Sequence, residues 1–128
     1  LKILLDTCAF LWLSSDSPKA TARIRTAFED RSNVIYLSAS SAWEISIKHS
    51  LGQLDLPEQP DRYIPSRIEI YQLTLLDMTL THAIRAGGLP IHHKDPFDRM
   101  IIAQAQIEGF AVATPDTAFD AYDVDLFW

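Results

Sequence analysis

Asp95-Pro-Phe-Asp-Arg-Met-Ile-Ile-Ala-Gln-Ala105, continuing through Gln106-Ile-Glu108 and Gly109 to Phe110-Ala-Val-Ala113, is the stretch whose pattern decides the fold. Asp95 ahead of Pro96 predicts a helix start, because a carboxylate at the cap accepts free amide protons of the first turn and proline there forfeits no hydrogen bond. The residues up to Glu108 are apolar on most sides of a helix, which predicts burial against a sheet. Gly109 stops that helix, and the apolar run from Phe110 to Ala113 predicts a strand. Asp98 is the exception within the helix. Ile101, Ile102 and Ala105 follow it at helical spacing on the same face, so its carboxylate ends an apolar stripe and needs a partner.

The same alternation extends in both directions. Upstream, Lys2 to Leu5 reads as a buried strand ending at Asp6, followed by a helix through Phe10 and Trp12 that Asp6 or Thr7 caps. Ser17-Pro18 predicts the next helix start, with Ala22, Ile24, Ala27 and Phe28 as its stripe, and Val34 to Leu37 a second strand. Ser38, Ser40 and Ser41 offer caps for a helix bearing Ala39, Trp43, Ile47 and Leu51, closed by Gly52. Arg62 to Glu69 reads as a helix despite Pro65, Tyr71 to Leu75 as a strand and Leu80 to Ala86 as a short helix. Beyond Ala113, a brief helix over Thr117 to Ala121 precedes a last strand over Val124 to Phe127. Strands alternating with helices predict an α/β sandwich on a mostly parallel sheet, since parallel strands need crossovers. No repeat or long linker interrupts the pattern, so a single domain over residues 1–128 is expected.

Composition narrows the function classes. Hydrophobic residues at 48 % and charged residues at 22 % describe an ordered chain rather than a disordered one. Cys8 is the lone cysteine, which rules out an intrachain disulfide and reads most simply as a small buried apolar residue. Apolar runs are only a few residues long and no signal sequence opens the chain, so a cytoplasmic protein with no membrane partner is expected. A net charge of −6 opposes a broad basic face for nucleic acid. It does not exclude a nuclease, because acids that hold a cation contribute to that sum and the cation reverses the local field.

In parallel α/β sheets ligands gather at the carboxyl ends of strands. Asp6 follows the first strand, Glu44 lies in the first turns of its helix, Asp98 opens the apolar helix, and Asp116 follows the fourth strand. Each has a local structural reading as well. Asp6 and Asp116 suit caps or turns, Ser41-Ala-Trp-Glu44 has capping-box spacing with Lys48 placed to pair with Glu44, and Asp95 reads as a cap. Brought into one cleft, the four acids would repel strongly, and a divalent cation relieves that conflict. Mg²⁺ prefers hard oxygen ligands and retains waters, so a few carboxylates and a substrate phosphate complete its shell, and it activates water for attack on a phosphodiester. No Cys or His cluster with zinc spacing competes.

Other residues carry weaker signals. His92-His93-Lys94 with Arg99 form a small basic patch that either holds an RNA phosphate or is a solvated loop. His49 and His82 read as surface or helix-end residues, Trp12, Trp43 and Trp128 as core, and Asp120, Asp123 and Asp125 as solvated. The hydroxyls of Thr7 and Thr114 stand beside two of the acids, placed to cap or to orient a ligand or water.

Leu4-Leu-Asp-Thr7, Ser41-Ala-Trp-Glu-Ile-Ser-Ile-Lys48, Asp95 to Ala105 and Thr114-Pro-Asp116 resemble, in order and spacing, the successive motifs of PIN domains of the VapC-like toxin type. The resemblance spans nearly the whole chain. It implies a three-layer sandwich with a central sheet of about five strands, and a Mg²⁺ or Mn²⁺ endoribonuclease acting as toxin beside a cognate VapB-like or Phd-like antitoxin. It also implies frequent homodimers and an acidic site matched here by Asp6, Glu44, Asp98 and Asp116, with Asp6 and Asp98 the firmest metal ligands. Cys8 stands where many such toxins carry histidine, and Pro115 intrudes before the last acid. An aspartate-based phosphatase is a rival, but Asp6-Thr7-Cys8 lacks the second acid two residues on that such an enzyme uses. A noncatalytic interaction module on the same fold is the other.

Overall fold

The computed structural model describes residues 1–128. Five strands, β1 (Lys2–Leu5), β2 (Val34–Ser38), β3 (Thr74–Leu76), β4 (Ala111–Ala113) and β5 (Leu126–Phe127), form one sheet in the order β3-β2-β1-β4-β5. Every pairing is parallel. The helices are α1 (Thr7–Ser14), α2 (Ala22–Glu29), α3 (Ala39–Ser50), α4 (Pro60–Ile70), α5 (Leu80–Gly88) and α6 (Pro96–Glu108), with a 3₁₀ turn over Thr117–Ala121. No helix is long and apolar enough to cross a membrane.

The alternation of side chains along β1 makes the layers. Ile3 and Leu5 join Ile35 and Leu37 of β2 in a core with Phe10 of α1, Ile24 of α2, Ile45 of α3 and Tyr63 of α4. Leu4 points the other way, into a second core with Val112 of β4, Ile101, Ile102 and Ala105 of α6, Ala86 of α5 and Phe119. Ile3, Leu4, Leu5, Leu37 and Val112 have no exposure at all, as expected of strands covered on both faces. The α/β three-layer expectation therefore holds, with a sheet that is parallel throughout.

Several local expectations are corrected. The second helix does not start at Ser17-Pro18: its cap is Thr21, whose side chain accepts from Ile24 N, and Pro18 lies in the turn before it. Ser38 rather than Ser41 caps α3, accepting from Ser40 N, so Glu44 is not the partner of a capping box. β3 and β5 are shorter than the apolar runs that announced them. Trp43 is 58 % exposed, edge-on to Phe97, so its four-residue spacing marks a face that the sheet does not reach. Leu51 on the same stripe is exposed, whereas Trp12 and Trp128 pack against each other at the margin of the first core. His82 is fully buried, its ring accepting from Thr79 N and facing Glu108 at 2.9 Å, which a surface reading missed.

Gly109 ends α6 with φ 76° and ψ 33°, its N–H donating to Ala105 O. A Cβ there would meet no atom within 4 Å, so only the left-handed backbone resists substitution. Gly109→Ala is expected to cost about 1 kcal/mol, read as a lower denaturant midpoint with an unchanged slope.

Candidate active site: an acidic cleft at the strand ends

Register brings the acids together. Leu5 of β1 pairs with Leu37 on one side and Ala113 on the other, so the residues that follow, Asp6, Ser38 and Thr114, emerge side by side. Asp6 N donates to Ala113 O at 3.0 Å, extending the ladder to the edge of the cleft. β1 is also the strand at which the connections change direction, the switch point where parallel sheets open a crevice. A cleft of about 520 Å³ opens there, lined by Asp6, Glu44, Lys48, Asp95, Asp98 and Asp116 among others. A larger depression of about 630 Å³ lies far from these strand ends. Asp16 within it is already paired with Arg25 at 2.6 Å, and its other acids, Glu29 and Asp30, share the depression with Arg25 and Arg31.

Asp6 is the most constrained of the group. It caps α1, with Oδ1 accepting from Ala9 N at 2.7 Å, and Oδ2 accepts from Thr114 Oγ1 at 2.5 Å. Burial pushes its carboxyl up to about 7, against the pull of those two hydrogen bonds, and the charges of Asp98 and Asp116 push the same way. The cap and the site are thus one residue, and the two readings of its sequence position do not compete.

Glu44 is buried in a different setting. The Thr7 hydroxyl donates to Oε1 at 2.6 Å, and Lys48 Nζ donates to Oε2 at 2.5 Å, one turn along α3. The hydrogen bond to Glu44 holds the Lys48 ammonium above its ordinary range, so a cation stands in the cleft. Asp95 serves as cap of α6, accepting from Phe97 N and Asp98 N at 2.9 and 3.0 Å. Asp98, one turn in, is mostly buried. Burial raises its carboxyl, with Asp95 and Glu44 adding to the effect and the His93 hydrogen bond opposing it. Asp116 caps the 3₁₀ turn through Ala118 N, while its own N–H donates to Thr114 Oγ1. Thr7 and Thr114 therefore orient acids directly, the first on Glu44 and the second between Asp6 and Asp116.

His93, read from the sequence as part of a basic patch beside Asp98, does reach the acids, but through a direct contact with Asp98 rather than as a free phosphate-holding group. Its Nε2 lies 2.7 Å from Asp98 Oδ2, and one ligand atom each of His93, Asp98 and Asp116 falls within 4.8 Å of the others. The connection is made by a loop rather than by helical periodicity, so no fixed offset announces it. Arg99 is the reverse case. Expected in a phosphate-holding patch, its guanidinium is spent on backbone carbonyls of Ala86, Leu89, Pro90 and His93 at 2.9 to 3.2 Å, and it fastens the loop between α5 and α6.

Cys8 sits half-buried on the cleft wall rather than in the core. Burial and the Asp6 charge push its thiol up to about 11, so it is protonated at neutral pH and is no nucleophile. What remains is a set of hard oxygen donors with one imidazole, converging where burial, with a smaller push from the charges of Asp98 and Asp116, already favours the neutral form of Asp6. That donor set fits a divalent cation such as Mg²⁺ or Mn²⁺, whose charge would offset the repulsion.

An all-parallel α/β sandwich with a carboxylate cleft at its switch point defines the class, and comparison with known proteins gives the family. The chain belongs to the PIN domain family, whose model matches residues 3–125. Over 80 residues it is 38 % identical to Ribonuclease VapC16 of Mycobacterium tuberculosis, a match covering 61 % of this chain and 55 % of that relative's length. Among solved structures it is similar to VapBC2 from Rickettsia felis bound to a DNA fragment from its promoter. That similarity has a TM-score of 0.72 at 15 % identity, over 98 % of this chain and 97 % of the other. It is also similar to a toxin–antitoxin complex from Klebsiella pneumoniae, with a TM-score of 0.62 at 19 % identity over 94 % and 92 % of the two chains.

Proposed function

We propose that this chain is a metal-dependent endoribonuclease acting as the toxin of a toxin–antitoxin pair. The observation that carries the reading is the convergence of Asp6, Asp98 and Asp116, with Glu44 beside them, in one cleft at the carboxyl ends of parallel strands. Asp6, Asp98, Asp116 and Glu44 would hold the cation, Mg²⁺ or Mn²⁺, with Glu44 contributing from the buried face of α3. Held there, the cation would supply an activated water for attack on an RNA phosphodiester and compensation for charge on the leaving oxygen.

The chain's own residues divide the remaining work. Thr114 and the Ala9 amide fix both oxygens of Asp6, so that carboxylate keeps one orientation with or without substrate. Lys48 neutralises Glu44 and keeps a positive charge in an otherwise acidic cleft, within reach of an incoming phosphate. The likeness to VapC16 and to the solved complexes supports an RNA substrate and a protein antitoxin of the VapB-like or Phd-like kind. The acidic chain as a whole leaves RNA capture to the loaded cleft, and we include a homodimer in the proposal on family resemblance.

The test is cleavage of a mixed RNA pool by purified, antitoxin-free protein, with Mg²⁺ or Mn²⁺ against EDTA and Asp98→Asn as control. Metal-dependent cleavage that drops at least ~100-fold in the folded variant is expected, since the substitution removes a ligand charge from the site. Equal cleavage by Asp98→Asn would trace the activity elsewhere. No cleavage in any metal by folded protein would favour a noncatalytic module on this fold.

A further inference from the structure

The basic-looking loop before α6 is built toward the cleft. Tyr122 Oη accepts from His92 N and His93 N at 3.2 and 2.9 Å and donates to Pro90 O at 2.7 Å. From the other side, Arg99 donates to His93 O at 3.2 Å. Both backbone groups of His93 are thus held by residues anchored outside the loop, and its ring, only about a quarter exposed (23 %), is directed onto Asp98. A solvated loop histidine needs no such fastening. His92, by contrast, is exposed and packs edge-on to the Tyr122 ring, away from the acids.

From this arrangement we infer that His93 is a nitrogen ligand of the cation held by Asp98 and Asp116, and that it tilts the site toward Mn²⁺ over Mg²⁺. The inference rests on the metal-dependent reading above and adds a ligand to it. The geometric basis is that the three side chains each present a ligand atom within 4.8 Å of the other two, the span of one coordination sphere. Neutral imidazole suits transition metals, whereas Mg²⁺ holds to oxygen and gives up its waters reluctantly. On binding, the proton now shared between His93 Nε2 and Asp98 Oδ2 would be lost to solvent, leaving a neutral ring protonated on Nδ1 whose Nε2 lone pair is free for the cation. The Tyr122 and Arg99 bonds to the His93 backbone keep the residue in place.

The test is Mn²⁺ titration of the purified full chain, followed by electron paramagnetic resonance, with pulsed detection of ¹⁴N coupling to the bound ion. Wild type is expected to bind Mn²⁺ with a histidine-type ¹⁴N modulation. His93→Gln should lose the modulation and weaken Mn²⁺ binding about 10- to 100-fold, with a smaller loss for Mg²⁺ measured by competition. His92→Gln should keep both. Circular dichroism establishes that each variant is folded. Mn²⁺ bound without ¹⁴N coupling, or coupling that survives in His93→Gln, overturns the His93 assignment and leaves the metal-dependent reading standing. No Mn²⁺ binding at all overturns both.

Discussion

Asp6→Asn is expected to abolish metal-dependent cleavage and, in metal-free protein at pH 8, to raise the unfolding temperature. The two effects share one cause. Asp6 is 3 % exposed and its carboxyl is raised from 3.8 to about 7 in the fold. Between those values the folded state holds a proton that the unfolded chain has released, so stability falls as pH rises through the window, and above it the whole cost of the buried charge is borne. An asparagine carries no charge, keeps an oxygen for Ala9 N and presents its amide to Thr114 Oγ1. A gain of roughly 1–3 kcal/mol at pH 8 follows, shrinking to nothing near pH 4. Saturating Mg²⁺ or Mn²⁺ should reverse the order, stabilising wild type and leaving the variant unmoved. Thermal melts from pH 4 to 8, with and without metal, read all of this. A variant less stable than wild type at pH 8 without metal would mean that Asp6 is a structural cap whose charge is well tolerated.

The second large effect lies outside the acids. Arg99 donates to four backbone carbonyls between Ala86 and His93 at 2.9 to 3.2 Å, and only its charged, planar fork reaches them together. Arg99→Met keeps most of the side-chain bulk and removes the donors. The expected loss is about 2–4 kcal/mol, since several hydrogen bonds from a charged group disappear at once and carbonyls that are part-buried lose their partners. Chemical denaturation measures it, and hydrogen exchange should show protection lost first at His92 and His93, whose amides depend on the same loop. Stability within ~0.5 kcal/mol of wild type would show that water replaces the guanidinium at no cost.

Which features were legible in the sequence follows from the range of the interactions that make them. Strands β1, β2 and β4 and helices α3 and α6 announce themselves by apolar periodicity, Asp6, Glu44 and Asp116 by following strands, and Asp98 by opening an apolar helix. The cleft shared by Asp6, Glu44 and Asp116 follows from parallel topology, because every strand delivers its carboxyl end to one edge, while Asp98 is carried there by the packing of α6. Hidden features depend on partners distant in the chain. His82 is buried because Glu108 and the α6 face lie against it, Trp43 is exposed because the sheet stops short of it, and Arg99 is consumed by a loop whose path no local rule predicts. The Ser38 cap of α3 was one of several adjacent serines, and only the end of β2 selects among them.

The hydrogen bond from Thr114 to Asp6 joins residues 108 apart in the chain. Within this domain β1 is made before its two neighbours, and β4 and the carboxylate of Asp116 follow it by more than a hundred residues. During translation the central strand therefore waits with one edge bare, and a nascent chain carries no complete acidic cleft until Asp116 has cleared the exit tunnel. Under the proposed function, an incomplete chain would lack the full set of acids that holds the cation, so cleavage would have to wait for the segment that carries Asp116.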